Sequence, residues 1–440
     1  MKISVIGTGY LGATHAAGMA ELGFEVVGVD VDPAKIERLS QGILPFHEPG
    51  LSELIQRHVA SGRLRFTTDY TEVGSWADVH FVGVGTPQLS GQYGADMTYV
   101  NAAVESLLAH ITKDALIVGK STVPVGTAAR LAELVAEKSH DDVEVSLAWN
   151  PEFLREGFAV EDTLTPDRLV FGVRNERDEQ TLRSVYAKIL DIGTPLIVTD
   201  FETAELVKVA ANAFLATKIS FINAFSEVTE TVGGDIRTLA DALGHDTRIG
   251  RRFLNAGIGF GGGCLPKDIR ALQARVSELG VDRAMNFLAD VDDVNLRRRD
   301  RAIYLAEAML GDDVRGRQVA VLGVTFKPES DDVRDSPALD VAARLHEMGA
   351  EVSVYDPQGN ENAAGRFPRL NYVDSLDEAT GGAELVLLLT EWKEFRSLTP
   401  ADLEGRVAAR RFIDARNVLD ADAWEAAGWD FAAFGRKYRS

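Results

Sequence analysis

Apolar residues along this chain fall into two rhythms. Short unbroken runs come first: Lys2–Ile6 (KISVI) and Glu25–Val29 (EVVGV), then 79–84, 116–120 and 143–149. Runs of that length, rich in β-branched residues and apolar at odd and even positions alike, predict strands covered on both faces, as in a parallel sheet. The first two flank a stretch of helical spacing that ends at Leu22, just before Gly23, a residue suited to stopping a helix. Phe201–Val232 departs from this rhythm. It contains neither Gly nor Pro and is apolar on several faces, which predicts a long helix buried between domains or in a subunit interface. Helices are expected to continue to residue 299, with the densely charged 290–300 read as a solvated face. A strand pattern returns at 317–323, and 339–348, 352–355, 385–389 and 411–414 continue a second α/β region. The expected fold class is α/β: two doubly wound domains joined by a long central helix and a helical middle region. The expected divisions are 1–200, 201–300 and 301–440.

Composition narrows the partners. Lys and Arg number 46 against 67 Asp and Glu, a net charge of −21. Such an acidic chain disfavours nucleic acid and anionic membrane surfaces as partners, although local Lys and Arg can still line a cleft for phosphate. A single cysteine rules out an intrachain disulfide and fits a reducing compartment. Gly7, Gly9, His15 and Glu21 interrupt any secretory signal core, and no apolar run approaches the roughly 20 residues that a spanning helix needs. The expected location is the cytoplasm.

The first strand is followed by Gly7-Thr-Gly9-Tyr-Leu-Gly12, and the second ends in Asp30. This is a Rossmann-type β-α-β dinucleotide unit in the right order and spacing. The glycines permit a tight turn and a close approach of pyrophosphate to a helix N-terminus. Asp30 is suited to accept from a ribose 2′-hydroxyl and to repel a 2′-phosphate, so NAD is expected over NADP, with Asp32 reinforcing the preference. Three further strand ends carry Gly85-Thr86-Pro87, the stretch from Ser121 to Gly126, and Asn150-Pro151-Glu152-Phe153. In an open α/β sheet these loops border the nicotinamide end of the cofactor. Asp356 ends a strand in the second region much as Asp30 does, but Gly323-Val-Thr-Phe-Lys-Pro328 replaces the glycine-rich loop. That half reads as a Rossmann relative without a second dinucleotide site.

The only cysteine, Cys264, follows Gly261-Gly-Gly263 and precedes Leu-Pro266-Lys267-Asp268. Pro266 and the spacing Ile269, Leu272, Val276, Leu279 predict a helix from there to Gly280. Cys264 would then sit at a helix N-terminus near an ammonium, where thiolate is favoured over thiol. The adjacent glycines would let a substrate come close to the backbone. Lys208 and Asn212 lie four apart on one face of the long helix, where a lysine either snorkels to the surface or, with Asn212, presents donors to an oxyanion. Lys327 and Arg334 either face a ligand shared between domains or are ordinary surface charges. No His/Cys cluster suggests a metal. An NAD site plus an activated thiol fits oxidation of an alcohol beyond the aldehyde, because a thiohemiacetal can lose a second hydride and leave a hydrolysable thioester. An NAD-dependent sensor is a competing reading, as is a one-step hydroxy-acid dehydrogenase, which has no need of the thiol.

Taken together, these motifs and the segment from Phe326 to Pro337 resemble the UDP-glucose/GDP-mannose dehydrogenase family over nearly the whole chain. The resemblance implies oxidation of the C6 alcohol of a nucleotide sugar to the acid, with two NAD reduced and one water consumed. UDP-glucose is the expected substrate, GDP-mannose and UDP-N-acetylmannosamine the alternatives, and a homodimer the expected assembly. By the same resemblance Cys264 is the nucleophile, Lys208 and Asn212 stabilise the oxyanion, and Asp268 with Thr122 and a water supplies acid/base chemistry. Glu152 serves the proton and water steps. The expected cofactor contacts are Gly7, Gly9, Leu11, Gly12, Asp30, Lys35, Thr86, Thr122, Glu156, Lys267 and Arg334. Expected substrate contacts are Glu152, Phe153, Leu154, Arg155, Lys208, Asn212, Phe253, Leu254, Asn255, Ala256, Gly257, Gly261 and Lys327, with Arg248 reaching the neighbouring subunit's substrate. One departure stands out: the family pattern before the nucleophile is Gly-Gly-Ser-Cys, and here Gly263 replaces the serine.

Overall fold

The computed structural model describes residues 1–140 and 142–438. Its first compact unit comprises 1–211 with 270–280, and its second 212–269 with 281–440. In the first unit the strands are β1 (Lys2–Ile6), β2 (Glu25–Val29), β3 (Leu64–Thr67), β4 (Val79–Val82), β5 (Ala115–Gly119), β6 (Val145–Trp149), β7 (Leu169–Gly172) and β8 (Leu196–Thr199). They form one sheet in the order β3-β2-β1-β4-β5-β6-β7-β8, parallel except where β6 meets β7. The apolar runs are explained by burial on two sides: Ile3 and Val5 enter one core, while Ile6, Val27 and Val29 enter another across the sheet. Helices α1 (Tyr10–Glu21), α2 (Pro33–Ser40), α3 (Thr127–Lys138) and α4 (Ala159–Leu164) follow β1, β2, β5 and β6. The chain reverses between β1 and β4 in the sheet order, so the carboxyl ends of those strands open the crevice where α/β sheets bind ligands.

Helix α5 (Phe201–Val232) is continuous over 32 residues. After α6 (Leu265–Glu278) comes α7 (Phe287–Leu310), which contains the stretch 290–300 read from sequence as solvated. The structure corrects that reading. Asp292, Asn295, Arg298 and Arg299 are buried, with Arg298 fully so, its guanidinium 4.7 Å above the Phe434 ring. Helical periodicity carries these polar groups inward, where loop carbonyls and carboxylates meet them.

The second unit repeats the plan. Strands β9 (Gln318–Leu322), β10 (Glu351–Tyr355), β11 (Asn371–Tyr372), β12 (Leu385–Leu388), β13 (Arg411–Asp414) and β14 (Asp430–Ala433) make a parallel sheet in the order β11-β10-β9-β12-β13-β14. Alternate residues of β9 feed two cores, Val319 and Val321 on one side and Ala320 and Leu322 on the other. Gly323 has φ +89 and Asp356 accepts from the main-chain and hydroxyl groups of Thr325, as Gly7 (φ +86) and Asp30 do with Thr8. Asp356, however, also accepts from Val324, Gln358, Gly359 and the Trp392 indole. Those bonds are all made inside the protein.

Candidate active site

In the first unit the glycine-rich turn is built by contact. A Cβ at Gly12 would stand 1.7 Å from the Gly7 carbonyl oxygen, and one at Gly7 would collide with Val84. A Cβ at Gly9, by contrast, would meet nothing within 4 Å. Gly12 and Gly7 therefore make the turn, and Gly9 leaves open the approach that a pyrophosphate needs at the start of α1. Asp30 is largely buried and accepts from Thr8 N–H at 2.8 Å, from Asp32 N–H at 3.1 Å and from Lys35 Nζ at 2.9 Å. Burial opposes its ionisation, but Lys35 and the two N–H groups outweigh it and hold the carboxyl below its usual range. The Asp32 carboxylate also caps α2, accepting from Ala34 N–H at 3.0 Å and Lys35 N–H at 3.3 Å.

The strand-end loops of this unit are tied to one another. Thr86 Oγ1 donates to the Thr122 carbonyl at 2.8 Å, and Glu205 of α5 accepts from Gly126 N–H and Ala128 N–H at 2.7 and 2.6 Å. Burial pushes the Glu205 carboxyl up to about 7 in spite of those two donors. Lys208, one turn further along α5, pairs with Glu152 at 2.9 Å, and both side chains are shielded from solvent. Phe153 lies beneath Lys208 at 5.7 Å and beneath Arg168 at 3.8 Å. Leu154 N–H bonds Glu152 Oε2 at 2.6 Å, and Arg155 is clamped on Asp162.

Behind this group Lys120, at the end of β5, donates to Asn150 Oδ1 at 2.9 Å and to the Tyr186 hydroxyl at 3.4 Å. Burial lowers its pKa from 10.5 to about 8, with the Glu152 carboxylate pulling the other way and Lys208 adding to the depression. Between those values the unfolded chain holds a proton that the native chain has lost, so stability rises with pH across that window. Relative to Lys120→Met, the wild-type protein is expected to gain on the order of 3 kcal/mol between pH 7 and 10.5. Thermal unfolding of both proteins across that range measures it, and a gap independent of pH would contradict the burial argument.

In the second unit Cys264 is exposed and immediately precedes α6, its carbonyl accepting from Asp268 N–H at 2.9 Å. It is thus the helix N-cap. Asp268 is buried and lies at the centre of a short chain of contacts, accepting from Asn212 Nδ2 at 2.7 Å and from Lys267 Nζ at 2.6 Å. The glycines before Cys264 have neighbours within the protein. Cβ atoms at Gly261, Gly262 and Gly263 would strike the Asp335 carbonyl, the Phe326 ring and the Arg334 guanidinium respectively, at 2.4, 2.9 and 2.4 Å. They admit the segment 326–337, and Gly262 N–H bonds the Arg334 carbonyl at 2.8 Å.

Comparison with known proteins bears on these two sets of residues. Residues 1–190 match the NAD binding domain of the UDP-glucose/GDP-mannose dehydrogenase family, 202–297 its central domain and 320–421 its UDP binding domain. The chain belongs to the UDP-glucose/GDP-mannose dehydrogenase family. Its similar relatives include a UDP-glucose 6-dehydrogenase from Rhizobium meliloti (strain 1021), 40% identical over 439 residues, covering 99% of this chain and all of the relative. The fold is similar to that of a UDP-glucose dehydrogenase from Pyrobaculum islandicum, with a TM-score of 0.90 and 39% identity over 99% of this chain and 98% of that one. A UDP-D-ManNAc dehydrogenase from Pyrococcus horikoshii superposes with a TM-score of 0.87 at 25% identity, covering all of both chains.

Family membership makes the chain an NAD-dependent oxidoreductase, and the open face of Gly9 above Asp30 fits that cofactor. Where the family pattern has serine before the nucleophile, this member has Gly263, and the Arg334 guanidinium occupies the space that a Cβ would take. In the stretch 253–257, Leu254 and Ala256 are core side chains, so only their main chain is presented; Phe253 and Asn255 are exposed, Phe253 in the left-handed region at φ +65. Arg248 is held by Asp246 and is exposed. Lys327 sits 5.4 Å from the Phe326 ring.

Reading the sequence missed the buried scaffold of this region. Asn223 accepts from Gly257 N–H, Arg298 donates to the Gly257 carbonyl, Asn295 bonds both main-chain groups of Phe260, and Arg416 donates to the Gly259 carbonyl. Polar residues on the inner face of a helix, as Asn223 and Asn295 are, were the available signal. Among the described residues no group of three or more His, Cys, Asp or Glu could hold a metal ion, and no helix is long and apolar enough to cross a membrane.

Proposed function

We propose that the chain oxidises UDP-glucose to UDP-glucuronate in two NAD-dependent steps. The observation that carries this is Cys264, exposed at the N-cap of α6, one turn before an Asp268 already bonded to Asn212. It is supported by full-length similarity to UDP-glucose 6-dehydrogenases. NAD supplies the hydride acceptor. Lys208 and Asn212, one turn apart on α5, stabilise oxyanion character; Asp268 and Thr122 handle the proton and Glu152 the water step. The Cys264 sulfur adds to the aldehyde carbon, giving a thiohemiacetal; loss of hydride and a proton leaves a thioester. Water then releases the acid and returns the thiol. Of the remaining positions, Gly7, Gly9, Leu11, Gly12, Asp30, Lys35, Thr86, Glu156, Lys267 and Arg334 face the cofactor in this reading, and the 152–155 and 253–257 stretches with Gly261 and Lys327 face the sugar nucleotide. The division into 1–200, 201–300 and 301–440 belongs to the same reading, supported by the three matched segments.

Offering UDP-glucose, GDP-mannose and UDP-N-acetylmannosamine separately and counting NADH per sugar tests this. Two NADH per UDP-glucose is the expected result. One would mean that oxidation stops at the aldehyde, and turnover of another sugar alone would keep the chemistry and replace the substrate.

A second copy of the chain is the proposed partner, with Arg248 serving across the contact. Phe214, Phe221, Phe225, Val228 and Val232 form an exposed apolar stripe along α5, each 39–73% accessible. A stripe of that length and spacing is what two packed helices bury. Sedimentation at micromolar concentration should give a dimer, and a monomer would remove this assignment.

A further inference from the structure

Glu48 lies outside every site described so far, yet it is almost fully buried and its two oxygens are heavily used. Oε2 accepts from Gly157 N–H at 2.6 Å and from the Tyr10 hydroxyl; Oε1 accepts from Ala159 N–H at 2.7 Å. Gly157 has φ +80 and ends the segment that carries Glu152 through Glu156. Ala159 is the first residue of α4, whose N-cap, Phe158, offers no side-chain acceptor. The carboxylate of Glu48 supplies the missing cap from a distant loop. Tyr10 belongs to the glycine-rich turn, between Gly9 and Gly12, and its ring packs 5.0 Å from Phe46, two residues before Glu48. Its hydroxyl donates to Glu48.

We propose that Glu48 is a positioning residue that sets the 152–157 segment, and that Tyr10 orients Glu48 for that task. A side chain of the cofactor turn thereby holds in place the loop assigned to the sugar. The geometry argues for more than a cap. A cap alone needs the two N–H groups, whereas the third bond, from Tyr10, fixes the carboxylate rotamer and so the position of Gly157. Hydrogen bonds to a buried carboxylate are among the stronger ones, and loss of one partner moves the others.

This inference rests on the proposed function for its substrate, and its test separates the two. Tyr10→Phe removes a hydroxyl that faces Glu48 and leaves the glycines untouched; Glu48→Gln keeps the shape and removes the charge. In Tyr10→Phe the KM for UDP-glucose is expected to rise about tenfold, while the dissociation constant for NAD changes less than about twofold. In the Glu48→Gln background the same Tyr10 change should add almost nothing, since it acts through Glu48. Hydrogen exchange of the Gly157 and Ala159 amides, which needs no substrate, should quicken in both variants.

A change confined to NAD binding, or additive effects in the double variant, would overturn the proposal. So would faster exchange with an unchanged KM, which would leave Glu48 a simple cap. Should the wild-type protein fail to oxidise UDP-glucose, the functional reading falls. Exchange at 157 and 159 in Tyr10→Phe then decides the inference: unchanged protection overturns it.

Discussion

Cys264→Ala is expected to abolish conversion of the sugar to the acid, with a loss on the order of 10^4-fold or more in overall turnover. The reason is chemical. An aldehyde cannot give up a second hydride until a nucleophile has added to it, and the chain has one thiol, at the N-cap of α6 and open to solvent. Exposure of the side chain means that its removal should move stability by no more than about 0.5 kcal/mol, so lost activity would not reflect lost folding. Cys264→Ser is the sharper version: it leaves a hydroxyl, too weak a nucleophile here, and should yield at most one NADH per sugar with aldehyde recoverable by a carbonyl trap. A serine variant still delivering two NADH would remove the covalent route and favour a hydrated aldehyde as the species oxidised in the second step.

The second large effect is expected at Lys208. In the proposed mechanism, replacing it with methionine removes one donor from the developing oxyanion, which costs on the order of 10^2 to 10^3 in kcat. It also strands the Glu152 carboxylate, now 2.9 Å from the ammonium and shielded from water. Breaking one side of a buried pair costs about 3 kcal/mol or more in stability. The two consequences can be separated. Combining Lys208→Met with Glu152→Gln removes the stranded charge and should restore much of the thermal stability, while kcat stays low. If the double variant regains turnover along with stability, Lys208 serves only to hold Glu152, and the oxyanion assignment fails. Lys208→Arg should keep the ion pair yet still lower kcat, because the planar guanidinium places its donors differently.

The candidate residues were legible to different depths. Those in contiguous motifs declared themselves: Gly7 to Gly12 with Asp30, and the Gly261–Asp268 stretch, each carry their chemistry within a few positions. What those residues touch was less accessible. The triple glycine suggested room for a substrate, and nothing local showed that Phe326, Arg334 and Asp335, 64 to 74 residues further on, pack where its Cβ atoms would stand. Asp32 was read for its charge beside the ribose site, and its capping of α2 went unread, although a carboxylate two residues before a helix's second N–H is placed to bond it. The charge-rich 290–300 stretch looked solvated because composition says nothing about which face of a helix points inward.

Period and local motif by themselves determined the α/β class, two doubly wound sheets, the long helix, the dinucleotide turn and the position of the thiol. Each depends on residues within one turn, strand or helix, where spacing and backbone chemistry suffice. Only the tertiary structure decided that Glu48 joins Tyr10 to Gly157, that Arg298 and Asn295 support the 257–260 backbone, and that Asp356 is sealed inside. Those hydrogen bonds span 35 to 109 residues. They arise because a buried polar group must find whatever partner packing brings within about 3 Å, and no local pattern specifies which one that will be.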